Sequence, residues 1–205
     1  MFFKKLKNYN VLLASRSKRR HELLNELGVK FKIIDQNIDE TYPKSLKKKE
    51  ITEHLAIKKT SNLINRLEDN DLLITSDTIV WHNNSALGKP KTRNEAFNML
   101  KSLENCSHSV ITSICISTNK SQIVISDKTK VYFDKINYDD LTYYTENYDV
   151  LDRAGSYGIQ DYIGHISIKK IEGSYSNVLG FPTQLFVKTI NSMNLWNGLN
   201  PTAQY

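Results

Sequence analysis

The 205-residue chain has little of what marks several common architectures. Its two cysteines, Cys106 and Cys115, lie in a Ser/Thr-rich stretch without CxxC spacing or a nearby histidine pair, which argues against a zinc site or a redox motif. Five histidines, His21, His54, His82, His108 and His165, stand singly and form no HExxH. With only eight glycines and four prolines there is no Pro/Gly-rich linker, so residues 1–205 are expected to form a single domain. No apolar run approaches the ~18 residues that a membrane span needs. The start, MFFKKLKNYNVLLAS, carries lysines but no adequate apolar core for a secretory signal, so the protein is expected in the cytoplasm. GxSxG is missing, Lys89 is followed by Pro90, and no glycine stands five positions before Gly88, which leaves a serine hydrolase and a Walker A loop unsupported.

What is present is a globular composition, 40% hydrophobic and 24% charged, with a formal net charge of +6. That charge admits nucleic acid or a polyanionic small molecule as partner, and a Lys- and Asn-rich coding bias would leave the same excess.

The chain is organised around Val11 to Gly28. Val11-Leu12-Leu13-Ala14 is a short apolar run that reads as a buried strand. Ser15 or Ser17 can cap the helix that follows, in which Leu23, Leu24 and Leu27 share a face and Gly28 is the stop. Lys18, Arg19 and Arg20 crowd its first turn, where the helix dipole is already positive. An anion would offset them, so a Ser-rich turn, a helix N-terminus and three cations together form a candidate phosphate grip. A solvated basic helix end fits the same residues.

Phe31 to Ile34 is a second short strand, and the acidic loop Asp35 to Thr41 follows. Mg²⁺ is commonly held by one or two carboxylates plus substrate phosphates, so Glu40 is a candidate ligand; a turn whose Asp and Asn side chains bond their own backbone is the alternative. Lys47 to Glu68 has a helical pattern on which Lys59 lies a turn beyond Leu55, able to enter a cleft or to snorkel. Leu72 to Thr75 is a buried strand that runs through Ser76-Asp77-Thr78 into Ile79-Val80-Trp81. A carboxylate between two apolar β segments is costly unless paired or metal-bound, which makes Asp77 the leading catalytic candidate. Asn83-Asn84 marks a hairpin turn, and Leu87-Gly88-Lys89-Pro90 delivers a lysine on a rigid loop. Further on, the pattern predicts a capped helix over Thr92–Leu103 with Ala96, Met99, Leu100 and Leu103 buried. A ribbon of Val110–Thr118 with Gln122–Phe133 comes next, then a helix over Asp139–Glu146 and a small-residue loop over Leu151–Gln160. Ile166–Ile171 is read as a strand, 172–177 as a tight turn, and Phe181–Met193 as the last helix.

LLASRSKRRHELLNELG, IDET, TSDTIV, LGKP, AGSYGIQ and IEGSYSNVLGFP, in this order and spacing, resemble the Maf family of nucleotide pyrophosphatases, also called septum formation inhibitors. The match covers about Val11 to Met193. The resemblance implies an α/β fold like that of the inosine triphosphate pyrophosphatases: a long mixed sheet flanked by helices, a cleft between two lobes, and a homodimer. It implies cleavage of nucleoside triphosphates to monophosphate and pyrophosphate with Mg²⁺ or Mn²⁺. By position Asp77 corresponds to the proton acceptor, and Ser15, Arg19, Glu40, Lys59 and Lys89 to phosphate and metal positions, with Glu40 and Asp77 as the metal ligands. Arg19, Thr78 and Gln160 match the positions that sort substrates in the subgroup favouring dTTP and UTP over 7-methyl-GTP. Three departures stand out: Lys18 where proline is usual, Thr75-Ser76 before Asp77, and Asp161 after Gln160 where glycine is expected. Asp161 is expected to add negative charge near the base pocket. The rival from another class is a basic, nucleic-acid-binding regulator of cell division; it lacks any helix-turn-helix, RNP or zinc-finger pattern and leaves Glu40 and Asp77 without a purpose.

Overall fold

A computed structural model describes residues 2–36 and 38–193. Asn37, within the acidic loop, and the tail from Asn194 lie outside the described residues. The centre is a seven-stranded mixed sheet in the order β2-β1-β3-β5-β6-β7, with β4 paired to β3. The strands are β1 (Asn10–Leu13), β2 (Lys32–Ile33), β3 (Asp71–His82), β4 (Ser85–Leu87), β5 (Ser107–Ser117), β6 (Gln122–Phe133) and β7 (Ile168–Glu172). β1 runs parallel to β2 and β3, and the other pairings are antiparallel. The ribbon expected from alternation is present as β5 and β6, and Asn83 and Asn84 turn β3 into β4 with φ of 46° and 58°, the left-handed pair that a two-residue hairpin needs.

One feature of this register makes room for a site. β1 pairs with Asp71–Ile74 at the start of β3, and β4 pairs with Val80–His82 at its end. On that side, 75–79 have no strand partner among the described residues, while β5 accompanies β3 on the other side throughout. Because side chains alternate along a strand, Asp77 and Thr78 leave this gap toward opposite faces of the sheet.

Helices cover both faces. α1 (Phe2–Leu6), α2 (Lys18–Glu26) and α8 (Thr183–Ser192) pack Leu6, Leu23, Leu24, Phe186 and Ile190 on Val11, Leu13, Leu72, Ile74, Ile114 and Ile116. Each such side chain, fully buried, contributes about 1.5–3 kcal/mol relative to exposure. A second core at the other end of the sheet joins Val80, Val110, Val131 and Phe133 to α4 (Arg93–Leu103) and α5 (Tyr138–Asn147). α3 (Lys49–Lys58) covers the opposite face through Ile51 and Leu55, against Ile79 and Ile111.

Several boundaries differ from the sequence reading. The helix expected over Lys47–Glu68 ends at Lys58, where the chain tightens: the Ile57 and Lys58 carbonyls accept from the Thr60 and Ser61 amides three residues on (2.8 and 3.2 Å), and Thr60 Oγ1 and Ser61 Oγ donate to the same two oxygens (2.8 Å each). A single 3₁₀ turn at Ile64–Arg66 is all that follows. The second strand shrinks to Lys32–Ile33. Ile166 belongs to a short helix, α6 (Tyr162–Ser167), and not to β7; the turn at 172–177 passes into α7 (Tyr175–Val178), capped by Ser174 Oγ. Met99 is only half-buried. Gly28 ends α2 with φ +69°, as expected, and Thr92 caps α4 by accepting from the Glu95 amide. Ser17 holds the cap position of α2 without a side-chain cap bond.

The second core also holds a titratable group. His108 is 2% exposed, wedged against the Phe133 and Tyr157 rings, with Nε2 2.7 Å from the Tyr157 hydroxyl and Nδ1 unpartnered. Burial, and secondly the nearby His82, pushes its pKa down from 6.5 to about 3. A depressed histidine pKa means that the unfolded chain binds the extra proton first, so the stabilisation is complete above pH 6.5 and is lost as pH falls toward 3. Between pH 7.5 and 4.5 this one group should remove about 2–3 kcal/mol of unfolding free energy. Denaturant unfolding at the two pH values should show His108→Gln losing that much less than the wild type; equal losses would refute it.

Candidate active site

A cleft of about 750 Å³ opens at the gap in the sheet. Ser15, Arg19, Glu40, Lys59, Asp77, Thr78, Lys89 and Gln160, the residues singled out in the sequence, all line it. They come from the end of β1, the start of α2, the acidic loop, the end of α3, the middle of β3, the loop after β4 and the 151–160 loop. The last of these contains a 3₁₀ turn at Ala154–Ser156, with Gly155 at φ +67°.

The chemistry centres on Lys59. Its stem is buried at the end of α3, and its ammonium donates to Asp77 Oδ1 at 2.7 Å and reaches Glu40 Oε1 at 2.9 Å. Lysine therefore enters the cleft, and it does so as a bridge between two carboxylates. Burial raises the Asp77 carboxyl above the usual range, and Lys59 and Arg20 reverse only part of that rise. For Glu40 the net direction is the other way: burial is again the largest influence and pushes up, but Lys59, Lys89 and Arg20 together outweigh it and hold the carboxyl below its ordinary value. Environment thus separates two like groups that share one cation, with the more basic one buried.

The divalent ion expected from the sequence has two candidate carboxylate ligands in the cleft, Glu40 and Asp77. Among the described residues no group of three or more His, Cys, Asp or Glu side chains could form a protein cage. Glu40 Oε1 and Asp77 Oδ1 converge on the Lys59 ammonium, and no described residue bonds Asp77 Oδ2, which is left for a cation. Two carboxylates with the remaining positions left to phosphate oxygens and water is how Mg²⁺ is often bound.

The basic cluster divides. Lys18 is exposed and outside the cleft lining. Arg19 lines the cleft, and its Nη2 donates to the Asp152 carbonyl at 3.3 Å. Arg20, grouped with the phosphate grip in the sequence, is already spent on protein oxygens. Nε donates to the Gly180 carbonyl (2.9 Å), Nη1 to the Ser76 carbonyl (3.0 Å) and Ser15 Oγ (3.3 Å), and Nη2 to Thr78 Oγ1 (3.0 Å). Four guanidinium bonds of this kind leave little for an anion. The Ser76 carbonyl is one that the gap in the sheet leaves without a strand partner, so Arg20 closes the backbone account there and fixes Ser15 and Thr78 together.

Thr78 is set by a relay of hydroxyls. It accepts from Arg20 and lies 3.0 Å from Thr112 Oγ1, which itself donates to the Asn177 carbonyl at 3.0 Å. Lys89 pairs with Asp152 Oδ1 at 2.5 Å, both side chains about half exposed, so a stronger anion can compete for this lysine. Gln160 is exposed in the cleft, and its amide bonds no described residue.

Asp161 corrects an expectation. It does not add free charge to the base pocket: its side chain is 10% exposed, ion-paired with Arg153 and bonded by the Tyr144 hydroxyl at 2.8 Å. Asp152, Arg153 and Tyr144 were not singled out in the sequence. An Asp-Arg pair in a loop and one tyrosine among eleven carry no distinguishing pattern.

These features define a mixed α/β protein with a cleft that pairs cations against a carboxylate couple. The chain belongs to the Maf family: residues 10–193 match it under the description "Maf-like protein". A dTTP/UTP pyrophosphatase of Flavobacterium johnsoniae is 46% identical over 183 residues, 89% of this chain and 94% of the relative. Proteins of the same name from Christiangramia forsetii and Bacteroides fragilis are 45% and 40% identical, over 92% of this chain in both cases and 96% and 98% of their own lengths. Among solved structures, a nucleoside-triphosphatase/dITP/XTP pyrophosphatase from Mycobacterium abscessus superposes with a TM-score of 0.39 at 12% identity, over 62% of this chain and 75% of the other.

Proposed function

We propose that this protein hydrolyses dTTP and UTP to the nucleoside monophosphate and pyrophosphate. The observation that carries the reading is the meeting, in one cleft, of Arg19, Lys59 and Lys89 with the carboxylates of Glu40 and Asp77. The relatives named above, all dTTP/UTP pyrophosphatases, support the substrate class. Ser15, Arg19, Lys59 and Lys89 bind the triphosphate, with Asp152 yielding Lys89 to the phosphate charge. Asp77 takes a proton from the attacking water as the P–O link between the α and β phosphates breaks and pyrophosphate leaves. Mg²⁺ or Mn²⁺ held by Glu40 and Asp77 would neutralise charge on the phosphoryl oxygens. Lys59 keeps the two carboxylates together and their charge balanced. A homodimer in the cytoplasm, where free nucleotides are the substrate pool, belongs to the same reading. No helix among the described residues is long and apolar enough to cross a membrane. The test is a turnover assay with metal added or chelated: monophosphate and pyrophosphate should form with Mg²⁺ or Mn²⁺ and cease with chelator. Diphosphate plus single phosphate as products, or tight salt-dependent DNA binding without turnover, would overturn it.

Base choice is assigned to Arg19, Thr78 and Gln160. The free Gln160 amide offers a donor and an acceptor side by side, which complement the N3–H and O4 edge of uracil or thymine. Gln160→Glu replaces the donor with an acceptor facing O4, and an unpaired contact of that kind costs roughly 5- to 150-fold in selectivity. The check is kcat/KM for UTP, dTTP, GTP and 7-methyl-GTP; equal losses on all four would mean that Gln160 does not read the base.

A further inference from the structure

The segment that carries Gln160 is tied from beneath by a cluster no part of the mechanism uses. Arg153 Nη1 contacts Asp161 Oδ2, and the Tyr144 hydroxyl donates to that same oxygen at 2.8 Å. The Gly158 amide donates to the Tyr144 hydroxyl at 3.1 Å, and the Asp161 amide to the Gly158 carbonyl at 3.1 Å. A Cβ on Gly158 would overlap Arg153 Nη1 and lie 2.7 Å from Asp161 Oδ2, so the loop rests directly on the ion pair. Burial holds the Tyr144 phenol protonated, above its ordinary range, and able to donate. The Arg153 and Asp161 side chains are 13% and 10% exposed, while Gln160, one residue away, faces the cleft. The backbone thus turns back on itself with the neutral amide presented and the negative charge withdrawn.

We propose that Arg153 and Asp161, clasped by Tyr144, are positioning residues for base selection: the pair holds the 158–161 turn so that Gln160 is offered to the base and the Asp161 carboxylate is kept from it. The inference rests on the pyrimidine-nucleotide reading above. Its physical content is electrostatic as well as steric. Without Arg153 the carboxylate keeps one neutral partner, and its charge stands beside the place where a uracil or thymine carbonyl would sit. The clasp acts on base binding, and none of its three side chains bonds Asp77, Glu40 or Lys59, so KM should respond and kcat should not.

The experiment is steady-state kinetics with UTP, dTTP and GTP on the full-length wild type, Arg153→Met, Arg153→Lys and the double variant Arg153→Met/Asp161→Asn, each with a thermal melt. Arg153→Met is expected to raise KM for UTP and dTTP about tenfold with kcat within about threefold, and to move GTP less. Arg153→Lys should recover most of the loss, and so should the added Asp161→Asn, because the charge to be hidden is gone. Unchanged KM in folded variants, or equal losses on all three nucleotides, would overturn the proposal. Should Arg153→Met not fold, Tyr144→Phe, which keeps the ring and removes one hydroxyl, must raise the pyrimidine KM in the same sense; no change there overturns it equally. A wild type inactive on both UTP and dTTP refutes the parent reading, whereas an active wild type with unmoved variants refutes the positioning role alone.

Discussion

Asp77→Asn should fold, bind nucleotide and lose turnover by about 10²- to 10⁴-fold, the usual cost of removing a general base. The amide is nearly isosteric with the carboxyl, and Lys59 keeps its contact with Glu40 at 2.9 Å, so the cleft retains a counter-charge for the lysine. What disappears is a proton acceptor that burial has made more basic than an ordinary aspartate. The pH profile carries the same prediction with a definite sign. A base must be ionised to work, so wild-type activity falls as pH drops through the Asp77 pKa. Burial raises that pKa in the metal-free cleft and a bound Mg²⁺ would lower it again, so the acid limb should move to lower pH as Mg²⁺ is increased. In Asp77→Asn the limb should vanish from the residual rate. Pyrophosphate release measured across pH decides it: near-normal turnover in the variant would hand the role to another group.

Lys59→Met should be comparably damaging by a different route. Methionine preserves much of the stem that fills the end of α3 and removes the cation between Glu40 and Asp77. Two carboxylates that converge without a counter-charge cannot both ionise easily, so one of them holds a proton into the neutral range. The base is then partly unavailable, and turnover at neutral pH should fall by about 10²-fold or more. Stability should fall too: Lys59 and Asp77 side chains are each 9% exposed, and breaking such a buried pair commonly costs about 3–5 kcal/mol. A divalent cation offers the missing charge, so added Mg²⁺ should raise the melting temperature of Lys59→Met more than that of the wild type. A variant with normal turnover and an unmoved acid limb would show that Lys59 is not what tunes Asp77.

Part of the site is legible because three candidates are local misfits, whereas Thr78 carries none and stands on the resemblance. Asp77 is a charge inside an apolar strand, Glu40 an acid in a basic neighbourhood, and Gln160 a long polar side chain in a loop of small residues. A misfit is visible at one position and needs no knowledge of what lies opposite. In sequence nothing local separates Arg20 from Arg19. Its partners are the carbonyls of Ser76 and Gly180 and the hydroxyls of Ser15 and Thr78, up to 160 residues away in sequence. The same holds for Asp161, which in sequence is an unopposed charge beside Gln160 and in the fold is matched by Arg153 and Tyr144.

The apolar runs that make β3, the alternation that makes β5 and β6, the stop at Gly28, the cap at Thr92, the hairpin at Asn83-Asn84 and the residue types of the cleft are all legible in the sequence. These depend on side-chain period and backbone preference, which act over a few residues. Packing across the whole sheet makes β1 and β4 stop short of each other along β3 and leaves 75–79 open on one side. Folding likewise makes Lys59 bridge two acids, Arg20 brace the opening and Asp161 turn inward. Those outcomes depend on which charges and orphaned backbone groups meet across the fold, and in a buried cleft each must find a partner that no short stretch of chain can specify.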